Sequence, residues 1–137
     1  MDELDRKIIE ILRKNSRTSF KKIAKMLNIT EGAVRYRVKS LIDRGIIRKF
    51  TIELGLEGLS SIVCVKTNEK ADLAKLCKDI LNINGVERVF EVTGEYDLIV
   101  FVRSTSTRDL NRVIDEIRVK NGVVTTISFF ILQEHGG

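Results

Sequence analysis

Two hydropathy periods and a reversal in the sign of charge predict an α+β chain: a helical N-terminal part followed by a part ordered β-α-β-β-α-β. Apolar residues recur every three or four positions through the first third, the period of an amphipathic helix. From Ser60 onward, runs of strand formers alternate with two further helical stripes. Residues 1–50 hold 14 Lys or Arg against 6 Asp or Glu, whereas residues 51–137 hold 10 against 13. That split favours two small cores over one, with domains at residues 1–52 and 61–137 joined by a linker at 53–60.

The first helix is marked by Leu4, Ile8, Ile11 and Leu12, and the second by Phe20, Ile23, Ala24 and Leu27. Each carries one apolar stripe and needs a partner to bury it. Asn28-Ile29-Thr30 is a three-residue connection, the length at which two helices meet steeply rather than lying antiparallel. Thr30 then caps a third helix whose stripe is Val34, Val38, Leu41 and Ile42. Gly45 is suited to the left-handed residue that closes it. The next stretch, Ile46 to Ile52, is rich in strand formers and carries Arg48 and Lys49, so it reads as a strand or wing. The whole is the pattern of a winged helix-turn-helix.

At 100° per residue, Gly32, Arg35, Tyr36, Lys39 and Asp43 face away from the third helix's stripe, with Arg37 on its flank. These positions suit insertion into a major groove of double-stranded DNA. Arg35, Tyr36 and Lys39 are expected in the groove, with base-edge readout from Arg35 and the helix start at Thr30, Glu31 and Gly32. Arg17, Lys21, Lys22, Arg37, Arg48 and Lys49 are expected to clamp phosphates. Arg37 has a second reading, as holder of an intramolecular carboxylate beside the buried stripe. The bland alternative is a three-helix bundle kept soluble by its cations. A solvated face normally mixes both signs, so a one-sided excess confined to this third points instead to a polyanion.

In the second part, Ile62 to Thr67 reads as a strand and Asp72 to Ile83 as a helix with Leu73, Leu76, Cys77 and Ile80 on its core side. Val86 to Val92 is a strand, and Thr93-Gly94-Glu95-Tyr96 is a tight connection into the strand Asp97 to Arg103. Ser104 to Thr107 offers N-caps for a helix bearing Leu110, Val113, Ile114 and Ile117, and Val123 to Leu132 closes as a long strand. This order is the ferredoxin-like split, four antiparallel strands with two helices on one face. The uncovered face should then alternate toward polar residues if it meets water. It does not: Leu98 to Val102 and Phe129 to Leu132 are apolar on both faces. Leaving several such side chains wet forgoes several kcal/mol at about 25 cal/mol per Å², so something covers them. A second copy in a two-fold dimer is the commonest solution, and the linker with the first domain folding back is the alternative. Two recognition helices related by a two-fold axis also suit successive major grooves.

Other classes find little support. There is no Ser-His-Asp set, no metal-ligand spacing and no phosphate-cradling glycine loop, so neither an enzyme nor a cofactor or metal is expected. Cys64 and Cys77 fall in apolar patterns and read as buried packing residues, and His135 lies in a polar tail. No apolar run reaches the roughly 20 residues of a membrane span and no signal peptide begins the chain, so a cytoplasmic protein without a membrane partner is expected. A packaging protein that binds DNA without sequence preference remains a rival.

With both halves read, the chain resembles the Lrp/AsnC family, the leucine-responsive or feast/famine regulators. The resemblance is carried by Asp2-Glu3-Leu4-Asp5 with Ile8, Ile9 and Leu12, by Asn15-Ser16-Arg17 and Ile23-Ala24, and by Thr30, Val34, Arg37, Val38, Leu41 and Gly45-Ile46-Ile47. Gly94-Glu95-Tyr96-Asp97 is similar to the family's hairpin between the second and third strands. The linker Leu54-Gly55-Leu56-Glu57-Gly58-Leu59 departs from it in lacking proline. The resemblance implies a transcriptional regulator that dimerises through its sheets, often assembles into octamers, and binds a small effector, usually an amino acid. It places the effector at Thr93, Gly94, Glu95, Tyr96 and Asp97, with Thr126 and Ser128 from the last strand.

Overall fold

The computed structural model describes residues 1–55 and 58–136, so two positions of the expected linker, 56 and 57, lie outside the described residues. The chain divides into two compact units, Met1–Leu54 and Gly55–Gly137.

In the first unit, α1 (Glu3–Lys14), α2 (Phe20–Leu27) and α3 (Glu31–Asp43) form as the periodicity predicts. Local chemistry sets each boundary. Asp2 and Asp5 close a reciprocal capping box on α1, the Asp5 amide donating to Asp2 Oδ1 at 2.9 Å. Ser19 and Thr30 accept from the amides of Lys22 and Ala33, both at 3.1 Å, and start α2 and α3. Asn28 ends α2 in the left-handed region at φ 55°, which turns the chain sharply into α3. Gly45, at φ 72°, ends α3: its amide donates to the Ile42 carbonyl and the Ile46 amide reaches back to Leu41, a paired C-cap that only a left-handed residue allows. Ile8, Leu12, Ile23, Ala24, Val34 and Val38 make the core, with Phe20, Ile29 and Ile47 packed against it.

Two expectations change here. Ile42 is 44% exposed, because Leu41 is the residue that α3's pitch turns inward. Residues 46–52 form no strand, since the unit offers no other strand whose backbone could pair with them. Ile46 and Ile47 both donate to the Leu41 carbonyl, while Phe50 and Ile52 stay exposed.

The second unit contains β1 (Leu59–Thr67), α4 (Leu73–Leu81), β2 (Val86–Glu91), β3 (Leu98–Ser104), α5 (Thr107–Arg118) and β4 (Val123–Phe130). The sheet order is β2-β3-β1-β4 with every neighbouring pair antiparallel, the ferredoxin-like arrangement. β1 begins at Leu59, earlier than Ile62, and Gly58 before it has φ +78° with its Cα hydrogen facing the Ser104 carbonyl, where a Cβ would collide. Val63, Val65, Leu98, Val100 and Val102 line the helix-covered face and pack on Leu76, Ile80, Leu110, Val113 and Ile117.

The other face presents two cross-strand rows, Phe90–Ile99–Cys64–Ile127 and Arg88–Phe101–Ile62–Phe129. Phe90 and Phe101 meet edge to face at 5.7 Å. Ile127 and Phe129 are 43% and 56% exposed. Cys77 is partly buried against the core as expected, but Cys64 sits on this open face rather than inside. Among the described residues no helix is long and apolar enough to cross a membrane, and no group of His, Cys, Asp and Glu is placed to hold a metal.

Candidate nucleic-acid interface and effector region

Because Val34, Val38 and Leu41 are locked into the core, α3 cannot rotate, and the residues between them are fixed outward. Tyr36 is 74% exposed and Lys39 is exposed beside it. Gly32 leaves the first turn bare, with open space where a side chain would stand, so another surface can approach the backbone there. Arg35 is solvent-facing yet ordered. Its guanidinium bonds Glu31 Oε1 at 3.1 Å and lies 5.8 Å from the centre of the Phe20 ring. Thr30 keeps its hydroxyl on the helix cap.

The expected phosphate clamps divide into two kinds. Arg17, Lys21 and Lys22 are exposed around the turn into α2, and Arg48 and Lys49 are exposed beyond α3. The Arg17 amide is tied to Asn15 Oδ1 at 3.0 Å, which fixes the backbone that presents its side chain. Arg37 differs: its guanidinium sits 2.6 Å from Asp2 Oδ2 and 3.1 Å from Asp5 Oδ1. The Arg37 hydrogen bond holds the Asp2 carboxyl below its usual range, helped by the Asp5 amide, and the two carboxylates raise Arg37 in turn. This is the geometry of the second reading of Arg37, an intramolecular carboxylate holder. The signal was in the sequence: Arg37 lies on the flank of α3's buried stripe.

The effector candidates fall into two groups. Thr93, Gly94 and Glu95 form the exposed tip of the β2–β3 connection, with Gly94 at φ 115°, and Tyr96 is half-buried. Asp97 anchors the connection: one carboxylate oxygen accepts from the Thr67 amide at 2.7 Å and the Thr67 hydroxyl at 2.9 Å. Those bonds, backbone first, hold its pKa below the usual carboxylate range. Lys66 adds an unpredicted contact, its ammonium donating to the Glu95 carbonyl at 2.8 Å. Thr126 and Ser128 pair with Val65 and Val63, whose side chains face the helices, so both hydroxyls belong to the helix-covered side at the β4 edge. There Arg118 of α5 donates to Thr126 at 3.1 Å, a contact the sequence did not signal. The hairpin and Thr126 flank Val65 from opposite sides, since the Asp97 amide donates to the Val65 carbonyl.

Comparison with known proteins agrees with this anatomy. Residues 1–48 match a family model described as winged helix-turn-helix DNA-binding, and residues 60–136 match the Lrp/AsnC ligand binding domain. The chain is 47% identical over 134 residues to the HTH-type transcriptional regulator LysM of Sulfurisphaera tokodaii, covering 97% of this chain and 96% of that protein. Among solved structures, that of PH0061 superposes with a TM-score of 0.89 at 27% identity, covering 100% of this chain and 96% of the other. The fold is also that of NMB0573 from Neisseria meningitidis in complex with L-Met, at TM-score 0.88 and 24% identity, covering 100% and 93%. LysM and NMB0573 are named as transcriptional regulators. With a DNA-binding unit and a ligand-binding unit joined in one polypeptide, the chain belongs to the Lrp/AsnC family of transcriptional regulators.

Proposed function

We propose that this regulator acts in the cytoplasm as a sequence-specific DNA-binding dimer, or a higher assembly of dimers, whose promoter occupancy responds to a small amino acid. The observation that carries the proposal is the uncovered sheet face, with Phe90, Ile127 and Phe129 between 42% and 56% exposed on a domain that needs one more layer. Pairing two such faces buries them and gives each assembly two copies of α3, which is what recognition of a palindromic site requires.

Specificity is assigned to Arg35, Tyr36, Lys39 and the bare helix start at Thr30, Glu31 and Gly32. Arg17, Lys21, Lys22, Arg48 and Lys49 supply the phosphate contacts. The effector reading rests on the family's ligand-binding domain and on the chemistry of the hairpin end. An amino-acid zwitterion needs an acceptor for its ammonium and donors for its carboxylate. Glu95 and the free oxygen of Asp97 suit the first, while Lys66 and the exposed amides near Gly94 suit the second. Thr126 and Ser128, on the other side of the sheet, reach a ligand only if it extends around the β4 edge or is shared with a second dimer. L-Met in complex with NMB0573 supports an amino acid as the class of ligand.

The test is quantitative binding to the protein's own promoter and to random duplex DNA at fixed salt, repeated across a panel of amino acids. Preference for the promoter, changed by at least one amino acid, is the expected result. Equal affinity for both duplexes, unaltered by any ligand, identifies a packaging protein instead.

A further inference from the structure

The Arg35 side chain is held between two groups of different kinds: the Glu31 carboxylate one turn earlier on α3 and the Phe20 ring at the start of α2. Resting on the assignment of α3 to the major groove, we infer that Glu31 is a specificity-determining residue. It penalises DNA in general and admits only sites that offer a base amino group close to the guanine read by Arg35.

The helix dipole favours Glu31 in the first turn of α3, but a carboxylate on a DNA-facing surface opposes a polyanion. Around it stands the cationic surplus of residues 1–50, and ahead of it would lie a polyanion. Glu31 and Arg35 are about half and nearly two-thirds exposed, so among the described residues Arg35 is the side chain that holds the carboxylate, and water supplies the rest of its donors. Entering a groove takes the pair out of water. Committing two of its N–H donors to guanine O6 and N7 draws Arg35 away from Glu31, whose two carboxylate oxygens then keep at most one donor between them. A desolvated carboxylate without a donor is costly, and phosphate offers none. In the major groove the amino groups of cytosine and adenine are donors, and cytosine N4 is the usual partner of an acidic side chain. Four residues of helix rise about 6 Å. At 3.4 Å per base step, Glu31 therefore falls about two steps from the base under Arg35. Discrimination arises from an element that repels the wrong sequence as much as from one that attracts the right one.

Phe20 explains why Arg35 can make the exchange cheaply. The ring is packed against the core of the unit and lies 5.8 Å from the guanidinium carbon, a contact that does not depend on Glu31.

The experiment uses the full chain. Wild type, Glu31→Gln and Glu31→Ala are each used to enrich duplexes from a randomised pool. Each is then measured by fluorescence anisotropy, at fixed salt, against the wild-type consensus duplex and a random duplex. The expected result is that both variants bind the random duplex about fivefold or more tightly than wild type, while the consensus-to-random ratio falls by at least the same factor. Reselection should lose the base preference about two steps from the guanine. A merely structural role for Glu31 would lower affinity for both duplexes together, and a melting curve checks that each variant is folded. Unchanged or weaker random binding with an intact ratio overturns the inference. So does an equal tightening on both duplexes with the reselected sequence unchanged, because charge alone would then be at work. A wild-type ratio near one overturns the sequence-specific reading itself and this inference with it; a high wild-type ratio retained in both variants overturns only the inference.

Discussion

Arg37 on α3 and Asp2, the N-cap of α1, are joined by a 2.6 Å hydrogen-bonded ion pair, which Asp5 extends at 3.1 Å. The same two aspartates form the capping box of α1, so one cluster both starts the first helix and fixes where α3 crosses it. The orientation of α3's exposed face thus depends on residues at the start of another helix.

Replacing Arg37 with Ala leaves Asp5, only 7% exposed, without its cation. The expected outcome is a melting temperature lower by roughly a few degrees, with Lys at the same position recovering part of it. Calorimetry on the three proteins checks this.

Lys21 at the start of α2 is exposed and forms no ion pair among the described residues. If it contacts phosphate, Lys21→Ala weakens binding to all duplexes alike and flattens the plot of log affinity against log salt by about 0.9. Arg37→Ala should leave that slope unchanged, because its charge is already answered by two carboxylates. Anisotropy titrations over a range of salt concentrations distinguish the two roles.

Asp97 ties the hairpin to β1 through the Thr67 amide and hydroxyl, which hold its pKa below the ordinary value. Its contribution to stability is therefore complete above the unfolded carboxylate pKa of about 3.9 and is lost as pH falls through the lower folded value. The stability gap between wild type and Asp97→Asn should be constant near neutrality and narrow on acidification below about pH 4. Urea unfolding at a series of pH values tests it; a gap that widens in acid contradicts the assignment.

Ile117 is fully buried under the sheet, whereas Val119 two positions later is 80% exposed. Ile117→Ala should cost about 2–5 kcal/mol, while Val119→Ala should stay within about 0.5 kcal/mol. Chemical denaturation of both variants checks where α5 meets the core.

Much of this architecture was legible in the sequence because local signals and burial agreed. Thr30 and Ser106 of the Ser104–Thr107 group cap helices as read, and the buried apolar residues of the five helices all belong to the stripes read for them, although Ile42 of α3's stripe is exposed. The sheet order followed from strand count and connection type. What was not legible required a partner or a third dimension. Residues 46–52 have strand-forming side chains, but strands are made by pairing, and no second strand lies in that unit. Cys64 looked buried because its neighbours are apolar, yet the alternation that buries Val63 and Val65 turns it to the open face. The inherited effector set joined Thr126 and Ser128 to the hairpin, and only the register shows that their side chains leave the sheet on the helix side. Lys66 and Arg118 were invisible for the opposite reason: single cations in a mixed-charge region carry no sequence signal until a carbonyl or hydroxyl is placed beside them.

In the proposed assembly a second copy covers the apolar sheet face, and the pair carries two DNA-binding units. Light scattering coupled to size exclusion, on wild type and on Phe129→Asp at micromolar concentration, tests it most directly. The expected wild-type mass is twice the 15.6 kDa chain or a higher even multiple, and in Phe129→Asp the buried charge shifts it toward the single-chain mass, with affinity for a palindromic duplex lost in parallel. A wild-type protein that runs as a single 15.6 kDa chain, with Phe129→Asp indistinguishable from it, would contradict the account.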